Sequence, residues 1–211
     1  MNPIATLPSV NPTVNSANAG VTYQSSRLFP SLFQKNDPKK RLSVLETGQV
    51  TRETIGFLGQ FKSRIHVANL FSENLIREQQ AELSEKEMKH EFQNLLEFKV
   101  GTLIDVCLFW DFLNYLNPAA LRAFGSALRP YVHKGTRAHG FTVLNIETPL
   151  RNQQYGIGSP DTLCVRPGKQ SQLDYYPHSH EELNRSFDCF EIGRGWLLPD
   201  GRLEILLKAC V

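Results

Sequence analysis

The feature that most constrains the fold is an apolar run at residues 103–110, LIDVCLFW. Short and nearly uninterrupted apolar runs are typical of strands that are buried on both faces of a parallel sheet. Residues 42–46 (LSVLE) and 64–69 (RIHVAN) predict two more such strands. Segments with helical patterning separate these runs, and this alternation favours an α/β fold.

Several local signals predict helix starts and ends. Thr51 can cap a helix that carries Ile55, Leu58 and Phe61 on its apolar face. Residues 72–96 are rich in Glu, Gln and Lys and predict one long, mostly polar helix.

The second half of the chain continues the alternation. Asn117 and Pro118 form a cap and first-turn pair for a helix that ends near residues 129–130. Residues 178–187 predict an amphipathic helix that starts at Ser179 or His180.

Strands are predicted at residues 137–144 and 155–165, and a hairpin of residues 191–197 and 203–209 closes the chain. The predicted fold class is therefore a Rossmann-like, doubly wound, mostly parallel sheet of six to seven strands with an antiparallel C-terminal hairpin. Residues 71–102 have helical composition and contain no convincing strand.

The N-terminal residues differ from the rest. The first 25 residues are rich in Asn, Ser, Thr and Pro, so we predict a flexible arm at residues 1–36 and one α/β domain at residues 37–211. The arm also contains four apolar side chains, which either pack onto the domain, the favoured interpretation, or dock a partner or a second copy: Leu28, Phe29, Leu32 and Phe33.

Composition excludes some classes of protein. With 23 basic and 21 acidic residues the net charge is +2, so charge does not indicate nucleic-acid binding. No apolar run is long enough for a membrane helix, and the first 20 residues lack a signal peptide pattern, which predicts a cytoplasmic protein. Four dispersed cysteines predict buried free thiols. The imidazoles of His178 and His180 do not share a helical face, so we predict no metal site there.

Three segments carry a resemblance to a known family: residues 44–51 (VLETGQVT), residues 104–116 (IDVCLFWDFLNYL) and the closing hairpin at residues 190–207. They resemble the class I S-adenosylmethionine-dependent methyltransferases, and in particular a bacterial group of small methyltransferase-like proteins with the same segment at residues 110–116. The first segment resembles the acidic-x-Gly-x-Gly loop of that family, and the second resembles its fourth strand and the turn after it. The resemblance covers about residues 40–211 and implies a seven-stranded sheet whose last strand is antiparallel.

The resemblance implies a site for S-adenosylmethionine beyond the carboxyl ends of the central strands. Glu46 and Gly48 would hold the amino acid end of the cofactor, although Glu46 could equally hydrogen-bond its own turn. Asn69 stands where the family has an acid that accepts from the ribose hydroxyls, and an amide accepts more weakly than a carboxylate. Trp110 would form a wall of the site, and Asp111 would orient the methyl acceptor or act as base.

Each of these positions also has a structural interpretation. Trp110 and Tyr115 could be core aromatics, and Asp111 could cap a helix. Val50 replaces the second glycine of the loop and would crowd a close approach of the cofactor. No acidic contact to adenine can be assigned. Two functions follow: a methyltransferase with an unknown substrate, or a catalytically inactive methyltransferase-fold protein that serves as a binding or regulatory module.

Overall fold

The computed structural model describes residues 20–34, 40–168 and 173–211. Its strands are β1 (Thr22–Ser25), β2 (Leu42–Glu46), β3 (Ser63–Val67), β4 (Ile104–Trp110), β5 (Val132–Thr142), β6 (Gln153–Ser159), β7 (Thr162–Pro167), β8 (Phe190–Leu197) and β9 (Leu203–Ala209). Its α-helices are α1 (Arg52–Leu58), α2 (Glu85–Leu96), α3 (Pro118–Leu128) and α4 (His180–Ser186).

Six strands form the central sheet in the order β3-β2-β4-β5-β9-β8. The first four are mutually parallel, and β9 runs antiparallel to both β5 and β8. The predicted fold class is confirmed, because only the last strand of the closing hairpin reverses direction. The strand order is that of a doubly wound α/β sheet that ends in an antiparallel hairpin. Within the described residues, no strand lies between β3 and β4, so β3 is an edge strand.

The sheet is buried on both faces because side chains alternate along its strands. Cys107 and Phe109 of β4 join the cluster that contains the apolar residues of α2, α3 and α4. Val106 and Leu108 point to the other face and pack in a second cluster with Phe57 of α1. The sheet therefore has helices on both sides, as the doubly wound class requires.

The long helix predicted at residues 72–96 is broken. A 3-10 turn at Leu70–Ser72 and a π turn at Leu75–Gln79 precede α2. The side chain of Ser84 accepts from the backbone of Glu87, and Glu87 reaches back to the backbone of Ser84. This capping box starts a separate helix because it satisfies backbone donors that would otherwise lack partners.

We expect Ser84→Ala to lower the free energy of unfolding by about 1 kcal/mol, the usual value of an N-cap hydroxyl. Urea denaturation of the variant measures this loss. Ser84→Thr keeps the hydroxyl and should retain most of the stability, so an equal loss in both variants would contradict the capping role.

The apolar face predicted for α1 is partly wrong. Ile55 is 53% exposed, whereas Thr54, Phe57 and Leu58 are buried. The reason is that this helix is short and packs its Phe57 ring against Phe29, from the segment before β2.

Part of the predicted arm packs onto the fold. Strand β1 pairs antiparallel with β7, and Leu28, Phe29 and Leu32 are at most 3% exposed. Their burial favours the packing interpretation of this apolar segment and leaves these three side chains no exposed surface for a partner. Residues 1–19 and 35–39 lie outside the described residues.

A buried carboxylate fixes this N-terminal segment. Glu204 of β9 accepts hydrogen bonds from the hydroxyl of Ser26, from the backbone N–H groups of Arg27 (3.2 Å) and Leu28 (3.4 Å), and pairs with Nε2 of His139 at 2.8 Å. The completely buried Glu204 therefore connects residues 26–28 to the central strands β5 and β9.

A second sheet explains the remaining strands. Residues 155–165, predicted as one strand, form the antiparallel hairpin β6–β7, and β1 adds to β7. This small sheet lies against α1, where the N–H of Ile157 donates to Oγ1 of Thr54 (3.3 Å) and Arg166 pairs with Glu53 (2.5 Å). It therefore lies beside the carboxyl end of β2, where the fold places ligands.

Candidate active site

A narrow cavity of about 50 Å³ opens where the carboxyl ends of β2, β3 and β4 meet the small sheet. Its lining combines amide and aromatic side chains with two glycines and no charged side chain. The lining residues are Gly48, Gln49, Asn69, Phe71, Trp110, Asn152, Gln153, Gln154, Tyr155 and Gly168.

Three of the five predicted site residues line this cavity: Gly48, Asn69 and Trp110. Glu46 lies directly behind the first and last of these, and Asp111 lies behind the small sheet. The residues predicted from sequence therefore cluster at one end of the sheet, although two of them do not reach the cavity wall.

Glu46 is completely buried and only half satisfied. Its Oε1 accepts from the backbone N–H of Gly48 (2.9 Å) and from Nε1 of Trp110 (2.5 Å). Its Oε2 has no hydrogen-bond partner among the described residues. Burial raises the pKa of this carboxyl to about 8, and the two hydrogen bonds offset only part of that effect. A hydrogen bond from Glu46 to its own turn therefore explains the position of Oε1. It does not explain why Oε2 is buried without a partner.

Asn69 presents a second unpartnered acceptor. Its Nδ2 donates to Oγ of Ser72 (3.1 Å), while its buried Oδ1 has no partner within the described part of the chain. The backbone of Asn69 is left-handed, with φ of +46°. A left-handed non-glycine residue marks a locally constrained backbone, which is common in ligand sites.

Trp110 also has a left-handed backbone, with φ of +49°. Its carbonyl oxygen lies so close to β5 that a Cβ on Gly140 would come within 2.9 Å of it. The indole stacks on the ring of Tyr155 at a centroid distance of 5.2 Å and an interplanar angle of 8°. Trp110 is therefore both a core aromatic, 2% exposed, and part of the cavity wall.

Asp111 caps no helix with its side chain. Its Oδ2 accepts from the hydroxyl of Tyr155 (2.5 Å), and its Oδ1 lies 3.5 Å from Nη1 of Arg202. Burial raises the pKa of the Asp111 carboxyl to about 6, against the opposing charge of Arg202 and the hydrogen bond from Tyr155. Asp111 therefore titrates closer to neutral pH than an ordinary aspartate does, and Tyr155 lies between it and the cavity.

The sequence analysis did not identify Tyr155 and Arg202 as parts of the site. Tyr155 lies in β6, and Arg202 lies just before β9, 5% exposed, with Nη2 bonded to Gln24 (3.0 Å) and paired with Asp200 (2.8 Å). These partners come from four distant parts of the sequence, so no local motif predicts that they meet. The one available signal was Tyr155 at the start of a predicted strand.

Three further positions named in the sequence analysis are Val50, Gly48 and Tyr115. Val50 does not line this cavity. A Cβ on Gly48 would instead lie 3.3 Å from Glu46 and 3.6 Å from Phe71 and Trp110. Tyr115 is 4% exposed, as expected of a core aromatic.

Ser179 is the N-cap of α4. Ser179 accepts from the N–H of Glu182 (3.1 Å), and Nε2 of the buried His178 bonds the carbonyl of Leu116 (2.9 Å). Within residues 20–34, 40–168 and 173–211, no group of three or more His, Cys, Asp or Glu side chains could hold a metal ion. None of the helices described combines the length and apolar character that crossing a membrane requires.

The chain is similar to known proteins only at the level of solved structures. The sequence matches no protein-family model and no curated protein. Among solved structures, the pyocyanin biosynthetic protein PhzM is similar over 86% of this chain, with 14% identity and a TM-score of 0.46. The chain spans about half of PhzM, 54% of its length.

Two further structures contain bound ligands. The glycopeptide N-methyltransferase MtfA complexed with S-adenosyl-L-methionine is similar over 88% of this chain and 95% of its own, with 12% identity and a TM-score of 0.42. The Burkholderia thailandensis 1,6-didemethyltoxoflavin-N1-methyltransferase, with bound 1,6-didemethyltoxoflavin and S-adenosylhomocysteine, is similar over 82% of this chain and 72% of its own, with 13% identity and a TM-score of 0.46. The fold of this chain is established by the strand order described above.

Proposed function

We propose that this chain is an S-adenosylmethionine-dependent methyltransferase with a substrate still to be identified. The observation that carries the proposal is the pair of unpartnered buried oxygens, Glu46 Oε2 and Asn69 Oδ1, at the ends of adjacent parallel strands. Buried polar atoms nearly always have partners, so two orphans beside one cavity indicate a ligand that donates hydrogen bonds. The ammonium and ribose hydroxyls of S-adenosylmethionine are such donors.

Bound S-adenosylmethionine would supply an electrophilic methyl group on its sulfonium. Glu46 would accept from its ammonium, and that positive charge would favour the carboxylate form of the residue. Asn69 would accept from a ribose hydroxyl. Gly48 would allow close approach because it has no Cβ, and Phe71 and Trp110 would provide apolar walls.

Tyr155 is the group placed to meet the methyl acceptor. Its ring lines the cavity, and its hydroxyl is held between Asp111 and Arg202. We propose that Tyr155 orients the acceptor, while Asp111, predicted above as the base, serves as a positioning residue that receives a proton only through the tyrosine hydroxyl.

The size of the cavity favours a second candidate function. Ligand pockets usually measure about 300–1,000 Å³, far more than this cavity. Cofactor binding therefore requires Trp110 to leave Glu46, or the wall of Gln153, Gln154 and Tyr155 to move outward. A chain in which this opening does not occur would be the inactive binding module.

Isothermal titration with S-adenosylmethionine distinguishes the two candidates. The sharpest variant is Asn69→Asp, which restores an acid at the end of β3. A hydrogen bond to a charged group contributes roughly 1.5–3 kcal/mol, against roughly 0.5–1.5 kcal/mol for a neutral one, so we expect about tenfold tighter binding. Asn74→Asp adds the same charge at an exposed position nearby and should leave the affinity unchanged.

Two results would contradict the proposal. Absence of both titration heat and thermal stabilisation at millimolar cofactor would assign the chain to the inactive class, since ligand at 100 times its Kd adds about 2.7 kcal/mol of stability. Equal changes in affinity from Asn69→Asp and Asn74→Asp would place the ribose elsewhere. The cytoplasmic location also remains a proposal.

A further inference from the structure

A larger cavity of about 520 Å³ lies at the opposite end of the central sheet. The start of β2, β4 and β5, the end of β9 and the first half of β8 meet there. Six basic side chains line it: Lys40, Arg41, His133, Arg137, Arg194 and Lys208. This concentration is unexpected in a chain whose net charge is only +2.

Two irregularities in strand pairing build this basic cavity. In β5, Val132 pairs with Ile104 but Arg137 already pairs with Val106, so the strand bulges outward before Arg137. In β8, the pairing shifts between Ile192 and Arg194. Bulges redirect side chains and are common beside functional sites, and here both present arginines to the same space.

A glycine makes room for this arrangement. Gly193 occupies the bulge of β8, and a Cβ there would lie 2.6 Å from Cε of Lys208. The lysine side chain can therefore cross the bulge and reach Glu191 (3.2 Å).

The charges in the basic cavity are unevenly balanced. Asp105 pairs with Lys40 (3.3 Å) and His133 (3.2 Å), and Lys208 has its own acid partner. Among the described residues, Arg41, Arg137 and Arg194 form no ion pair. One guanidinium is held in place, because Nη1 of Arg137 donates to the carbonyls of Lys134 (3.1 Å) and Thr136 (3.0 Å).

We propose that this basic cavity binds a small molecule that carries two or more phosphate charges, through Arg41, Arg137 and Arg194. The planar fork of arginine matches phosphate oxygens with paired hydrogen bonds. The volume lies within the range of small-molecule pockets, about 300–1,000 Å³. The inference is independent of the proposed methyltransferase function.

Calorimetric titration of the full chain with sodium pyrophosphate tests this site. We expect saturable binding that Arg41→Gln and Arg194→Gln each weaken about tenfold or more. Lys86→Gln removes the same charge from the exposed face of α2, away from the cavity, and should have no effect. Both arginines are exposed, so the variants should fold, and a thermal melt verifies this.

Three outcomes of the pyrophosphate titration would overturn the proposal: no saturable binding at millimolar concentration, equal weakening by Lys86→Gln, or unchanged affinity in both arginine variants. A single-stranded oligonucleotide serves as the second probe. If it binds more tightly than pyrophosphate and loses affinity in Lys86→Gln as well, the interaction is that of a general basic surface with a polymer, and the small-molecule site is refuted.

Discussion

Phe29→Ala is expected to lower the free energy of unfolding by about 3–5 kcal/mol, as is usual when a buried phenylalanine is truncated. Phe29 is completely buried and lies within 5.2–6.4 Å, between ring centroids, of four rings: Phe33, Phe57, Trp110 and His139. The loss combines the transfer of apolar surface back to water with the cavity that remains. Equilibrium denaturation in urea measures it.

The control for this substitution is Tyr23→Ala. Tyr23 belongs to the same N-terminal segment but is 68% exposed, so its removal should change stability by about 0.5 kcal/mol or less. Similar small losses from both variants would show that the segment from residue 22 to 33 does not pack against the sheet as described, and would restore the predicted arm.

The integration of this segment could not be foreseen from its sequence. Strand β1 is only four residues long, TYQS, and pairs with a strand about 140 positions later in the chain. Its hydrogen-bond partners come from tertiary structure, and local propensity contains no information on them. By contrast, β2 was predicted at its observed limits, 42–46, because a strand buried on both faces is a continuous apolar run.

The candidate site shows the same division. Glu46, Gly48 and Trp110 follow directly from the ends of two recognisable strands, and parallel strands bring their carboxyl ends together. The group that contains Tyr155 and Arg202 depends on where the small sheet docks, which is a matter of packing between distant segments. Sequence therefore predicts the side of the candidate site that the ends of β2 and β4 form, but not the wall that faces it.

Glu46→Gln should remove a large pH dependence of stability. The pKa of this carboxyl is about 8 in the folded chain and 4.5 in its ordinary state, because burial disfavours the charged form. Between these values the folded state holds a proton that the unfolded state has released, so stability falls as pH rises from about 4.5 to about 8. Each pKa unit corresponds to about 1.4 kcal/mol, which makes the full effect roughly 5 kcal/mol.

The free energy of unfolding is measured at pH 5 and pH 9 for the natural chain and for Glu46→Gln. The change between the two pH values in the variant is then subtracted from the change in the natural chain. Asp111, whose pKa is also raised, contributes with the same sign but is present in both chains and cancels. The variant should be close to the natural chain in stability at pH 5 and more stable at pH 9. Glu82→Gln, at an exposed position, controls for the loss of a charge. If Glu46→Gln and Glu82→Gln respond alike, Glu46 is hydrated, and its second oxygen is satisfied by water rather than reserved for a ligand.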